Sequence, residues 1–146
     1  MFDPQEFIKL AERILRNSPG ASEARTAIGR AYYGAFHAAK RPLEQSFRFS
    51  KQENVHQQIR MLFINCSSVD AREIGRNLDD LRDRRNNADY RLDDTVVDQP
   101  MTATDCLQLA KRAIMKVQQL LAGPNASSVI AEMKAWAQAS RKVDLR

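Results

Sequence analysis

The stretch LRDRRNNADYRLD, residues 81 to 93, holds three arginines within four positions, followed by two asparagines, an aspartate and a tyrosine. Arginine carries a planar fork of donors that grips a phosphate through two parallel hydrogen bonds. Arg85 is the sharpest candidate. The apolar positions Ile74, Leu78 and Leu81 repeat at helical spacing and predict 85 and 88 as the next inward places, so Arg85 turns toward the buried face while Arg82 and Arg84 point elsewhere. Two readings follow. In one, Arg85 snorkels its stem and pairs with Asp89 four residues on; in the other, it lines a cleft and holds a phosphate. Arg84, Arg85, Asn86, Asp89 and Tyr90 form the candidate ligand-binding set, with Tyr90 able to stack on a base or donate a hydrogen bond.

Elements that would position these groups are legible on either side. Asp3, Pro4 and Glu6 read as the start of a first helix whose stripe is Phe7, Leu10, Ala11 and Ile14. Ala24, Ala27, Ile28, Ala31, Tyr32, Ala35, Phe36 and Ala39 predict a long second helix that Pro42 kinks or ends. Close packing can offset the helix cost of Gly29 and Gly34, roughly 1 kcal/mol each. Ser50 with Glu53 suggests a cap for a third helix carrying Val55, Ile59, Leu62 and Phe63, and Asp70 with Glu73 suggests a cap for the fourth. Thr102 with Asp105, and a staple between Met101 and Cys106, introduce a fifth helix through Ala110, Ala113, Ile114, Val117 and Leu121. Val129, Met133, Trp136 and Ala137 predict a shorter sixth, and no strand pattern is evident. The expected fold is an all-α, up-and-down bundle of four main helices with one or two short additions, in a single domain spanning residues 1 to 146.

The remaining chemistry is sparse. Histidine side chains exchange protons near neutral pH, but His37, in AYYGAFHAAK, has no acid or nucleophile at helical spacing; with Tyr33 it is a candidate accessory residue. His56 reads as a surface residue of a capping turn. Cys66 and Cys106 read as core thiols, and the cysteines and histidines match no compact ligand spacing, so neither a metal nor a cofactor is expected. The chain of 146 residues has a formal charge of +5, an excess that favours polyanion partners where it is clustered. No apolar run reaches membrane-spanning length, and MFDPQEFIKLAERILR carries acids where a secretion signal has a basic start. A cytoplasmic protein with only its last few residues loose is expected.

Taken together, AIGRAYYGAFHAAKRPL, VHQQIRMLF and LRDRRNNADYRLD resemble the HEPN domain, a family of small helical proteins that often accompanies nucleotidyltransferases in prokaryotes. The resemblance covers residues 5 to 122, including DCLQLAKRAIMKVQQLL, and leaves residues 125 to 140 as an accessory C-terminal helix. It implies a homodimer with a groove between subunits and a nucleotidyltransferase-like partner protein. Many members look like metal-independent ribonucleases, using an arginine, a polar residue after it and a histidine about five residues beyond the arginine. Arg85 and Asn86 match the first two roles, and Tyr90 stands where the histidine is expected; taking Arg84 instead puts Asp89 there. In the active pattern the histidine shuttles a proton while arginine stabilises charge on the phosphate under attack by the RNA 2′ hydroxyl. A tyrosine does not shuttle protons readily at neutral pH. The resemblance therefore implies a module that binds RNA, a nucleotide or a partner protein without ribonuclease activity. The alternatives are a metal-independent endoribonuclease of a toxin–antitoxin or stress-response system, with Arg85, Asn86 and Tyr90 as catalytic candidates, and a purely structural or protein-interaction domain.

Overall fold

A computed structural model describes residues 1–51 and 54–146. Among the described residues the chain is all-α, with six α-helices: α1 (Gln5–Arg16), α2 (Ala21–Leu43), α3 (Val55–Ile64), α4 (Val69–Tyr90), α5 (Pro100–Leu121) and α6 (Ala126–Ser140). A 3-10 turn, Val96–Asp98, precedes α5, and two short strands, β1 (Phe47–Arg48) and β2 (Asp144–Leu145), pair antiparallel. No helix among the described residues is long and apolar enough to cross a membrane.

The chain divides into two units, residues 1–37 with 77–113, and residues 38–76 with 114–146. The divisions fall inside α2, α4 and α5, so each unit holds part of all three.

In the first unit, alanines carry much of the core: Ala24, Ala27 and Ala31 of α2 and Ala103 and Ala110 of α5 are fully buried. Small side chains let helices approach closely. Gly34 shows how closely, because a methyl group there would come within 2.7 Å of Ile8 Cδ1 and 2.9 Å of its Cγ1. That approach fixes which face of α1 is inward. Ile8 and Ala11 are buried, whereas Phe7, Leu10 and Ile14 remain half-exposed, so the expected stripe is rotated. Asp3 Oδ1 accepts the Gln5 N–H at 3.0 Å, as its position before Pro4 suggests.

The second unit is built on Ile59, Leu62 and Phe63 of α3, Ile74 of α4, Val117 of α5 and Met133 of α6, all 3% exposed or less. His56 is buried here at 6%, not at the surface, because it occupies the same inward side of α3 as Ile59 and Phe63. Residues 143 to 145 are not loose. Phe47 pairs with Leu145 and Arg48 with Asp144, while Val143 is buried, so a strand two residues long closes the unit below the reach of periodicity.

Two helix starts differ from the expected caps. Ser68 Oγ, not Asp70, accepts a first-turn N–H of α4, from Ala71 at 3.2 Å. Helix α5 starts at Pro100, a residue suited to a first position that needs no N–H partner, which places Thr102 inside the helix. Met101 is 70% exposed, so the staple to Cys106 does not form. Glu53, the second half of the cap expected before α3, lies outside the described residues.

Candidate functional site

On α4 the buried line through Leu78, Leu81 and Ala88 carries Arg85 to the edge of the first unit, where its side chain is 20% exposed. The helix persists to Tyr90, which places Asp89 one turn beyond Arg85. Arg85 Nε lies 2.9 Å from Asp89 Oδ2, but its N–H is not aligned on that oxygen or on any other acceptor among the described residues. The contact is thus an ion pair by distance rather than a directed hydrogen bond. Arg85 Nη1 donates to Asn86 Oδ1 at 3.2 Å.

The guanidinium is also held by aromatic rings. Arg85 Cζ lies 5.2 Å from the centre of the Tyr33 ring and 5.7 Å from that of Tyr90. A cation over an aromatic face is attracted by the ring's negative centre, by about 0.5–1 kcal/mol at exposed sites. Tyr33 serves a second arginine. Arg30 Cζ lies 5.3 Å from Tyr33 and 5.4 Å from Phe7. His37 stacks on both Phe7 and Tyr33, at 5.9 Å and 6.2 Å between ring centres, and Phe2 continues the series 5.1 Å from Phe7. The ends of this series are open: Phe2 is 61% exposed and Tyr90 72%.

The structure therefore gathers Arg85, Asn86, Asp89 and Tyr90 of α4 with Tyr33 and His37 of α2. Arg84 does not join them. It is exposed one position round the helix, on a cleft of about 510 Å³ between α4 and α5 that Asp80, Asp83, Asn87, Asp105, Cys106 and Arg112 also line. That cleft mixes acids with arginines and has no aromatic ring in its lining, so it lacks the stacking surface of the Arg85 face. Burial pushes the Cys106 thiol up to about 11, with the Arg84 charge opposing, and Cys66 likewise to about 11. Neither supplies a thiolate near neutral pH. Tyr32, beside Tyr33, is pushed up to about 12 by burial despite the opposing charges of Arg82 and Arg85. It keeps its proton under ordinary conditions.

Sequence reasoning missed Arg30, Phe7 and Phe2. Arg30, Tyr33 and His37 follow one another at intervals of three and four, a spacing that marks one helix face and was available as a signal. It also missed Arg25, which fastens the end of α4. Its Nε donates to Asp98 Oδ1 at 2.6 Å, Nη1 to the carbonyls of Ala88 at 2.9 Å and Arg91 at 3.1 Å, and Nη2 to that of Asp94 at 2.9 Å. The bond to Ala88 satisfies a carbonyl of the last turn of α4, and those to Arg91 and Asp94 hold the turn that follows Tyr90. Among the described residues no group of three or more histidine, cysteine, aspartate or glutamate side chains is arranged to hold a metal ion.

Comparison of the chain with protein-family models, with curated proteins and with solved structures yields no match.

Proposed function

We propose that the chain is a HEPN-like RNA- or nucleotide-binding module that does not turn RNA over. The observation that supports this most is the Arg85 guanidinium, pre-set between Tyr33 and Tyr90 with an Nε–H that no acceptor among the described residues satisfies. A donor fork already oriented by rings loses little rotamer freedom when it binds a phosphate, and an adjacent exposed ring offers a base a stacking surface. The phenol of Tyr90 stands where the family's active pattern needs an imidazole. In this reading residues 1 to 146 form one domain, an up-and-down bundle of four main helices with short additions, acting in the cytoplasm as a homodimer beside a nucleotidyltransferase-like partner protein.

The second reading, a metal-independent endoribonuclease, draws on one further contact: His37 stacks on the same Tyr33 that carries Arg85. A histidine one ring away from an arginine is within range of a bound substrate's reacting groups if that substrate bridges them.

Incubating the purified chain with labelled RNA in excess EDTA, and measuring binding by fluorescence anisotropy alongside cleavage on a gel, separates these. Binding without cleavage, weakened by Arg85→Gln, is expected. Cleavage lost in both Arg85→Gln and His37→Ala would establish the second reading. Binding and cleavage both absent would leave Arg85 as an internal ion pair of a structural domain.

A further inference from the structure

Resting on the RNA-binding reading, we infer that Arg30 is the principal phosphate anchor of this site and that its ligand is a single strand of at least two linked nucleotides. The two arginines at Tyr33 are not equivalent. Arg85 is offset by the Asp89 carboxylate at 2.9 Å, whereas no carboxylate among the described residues lies within ion-pair distance of Arg30. Among the described residues Arg30 is held by the faces of Phe7 and Tyr33, at 5.4 Å and 5.3 Å. A half-buried guanidinium fixed by rings keeps its full charge and its donors for an incoming anion.

The geometry also selects the length of the ligand. Both guanidiniums lie within 5.3 Å of one ring centre, so they stand no further apart than twice that radius, a span that neighbouring phosphates of one strand bridge. Beyond each arginine lies an exposed ring, Phe2 past Arg30 and Tyr90 past Arg85. From Phe7 onward aromatic and cationic groups alternate as Phe7, Arg30, Tyr33, Arg85 and Tyr90, and Phe2 packs on Phe7 at the near end. Bases stack on the terminal rings while the backbone crosses the arginines, an arrangement that needs unpaired bases and gains nothing from a duplex. The contacts engage phosphates and base faces, so RNA and DNA single strands both fit.

The test is anisotropy of a labelled twelve-nucleotide RNA over a range of salt concentrations, with the same sequence as DNA, as a duplex and as a competing mononucleotide. Arg30→Gln should lower affinity about tenfold and flatten the dependence of log K on log salt by about 0.7, the contribution of one phosphate contact on a single strand. Phe2→Ala should lower affinity about fivefold with the salt dependence unchanged, as loss of one stacked base requires. Both single strands should bind more tightly than the duplex or the mononucleotide. In the unaltered protein, NMR signals of both Arg30 and Arg85 Nε–H should shift on adding the oligonucleotide, a readout independent of how well a variant folds. If Arg85→Gln weakens binding while Arg30→Gln does not and the Arg30 signal stays still, the anchor assignment fails and the RNA-binding reading stands. If the mononucleotide competes as well as the strand, the length assignment fails. If the unaltered protein binds none of the probes, both fall.

Discussion

Arg25 offers the most direct test of how the site end of α4 is held. Replacing it with methionine keeps much of the stem's packing and removes every donor. Five contacts are lost: Asp98 Oδ1 at 2.6 Å and the carbonyls of Ala88, Asp94, Arg91 and Asn87 at 2.9, 2.9, 3.1 and 3.4 Å. Hydrogen bonds to a charged group are worth about 1.5–3 kcal/mol each, but the carbonyls facing the turn regain water, so the five do not add. The Arg25 side chain is 15% exposed and that of Asp98 29%, so the remaining carboxylate sits in a site that solvates it poorly. Breaking such a pair from one side costs about 3–5 kcal/mol. Against a usual total of about 5–15 kcal/mol this is a large share. With a urea slope of about 1–3 kcal/mol per molar, the midpoint measured by circular dichroism should fall by about 1 M or more. Hydrogen exchange at the Arg91 amide, which donates to the Asn87 carbonyl at 2.9 Å, should accelerate. Arg25→Lys should recover only part of the loss, because an ammonium reproduces the charge but not the fork. A loss under about 1 kcal/mol in Arg25→Met, with Arg91 exchange unchanged, would refute this account of the helix end.

Three further outcomes follow from the structure. Gly34→Ala should destabilise by about 1–2 kcal/mol in urea unfolding, because the clash with Ile8 outweighs the gain in helix propensity, while Gly29→Ala should stabilise by about 0.5–1 kcal/mol since nothing lies within 4 Å of a methyl there. Asp89→Asn should raise affinity for single-stranded RNA about twofold in anisotropy, the factor expected from releasing one exposed i,i+4 ion pair on Arg85; unchanged affinity would show that Asp89 does not compete with the ligand. Stability should fall in alkali. Cys66 and Cys106 at about 11 and Tyr32 at about 12 hold their protons in the fold above the pH at which the unfolded chain releases them, so stabilisation fully present below about pH 9 is lost as pH rises through 11 and 12. Tyr32→Phe should remove the last step of the tyrosine ultraviolet titration and soften that loss, and an unaltered titration would overturn the assignment.

What the sequence revealed and what it concealed divide along the range of the interactions involved. The inward turn of Arg85 was legible because Leu78, Leu81 and Ala88 belong to the same helix, and period alone places residues along one helix. Its pairing with Asp89 was legible for the same reason. The face of α1 was not. Phe7 looks like a core residue in a one-dimensional pattern, but the gap over Gly34 admits Ile8, and this choice of face leaves Phe7 on the rim with Tyr33 and His37. Periodicity finds a stripe without saying which of two neighbouring stripes the partner helix will accept.

Arg25 and Asp98, 73 positions apart, could be joined only by folding. That contact bears on the site directly. Tyr90 is the last residue of α4, and a helix end with open carbonyls frays unless something satisfies them. The helix end that carries the site's exposed ring is therefore held by an arginine whose hydrogen bonds go to Asp98 and to backbone carbonyls. Two arginines of α2, five residues apart, have opposite tasks. Arg25 spends its donors on carbonyls and an acid within the protein, whereas Arg30 among the described residues is held by rings, which in the proposed reading leaves its donors for an anion. The positive balance of the chain gives no way to tell them apart, since both contribute the same unit to it. Their surroundings do, and they explain why substitution of Arg25 should act through stability while substitution of Arg30 should act through salt-dependent binding.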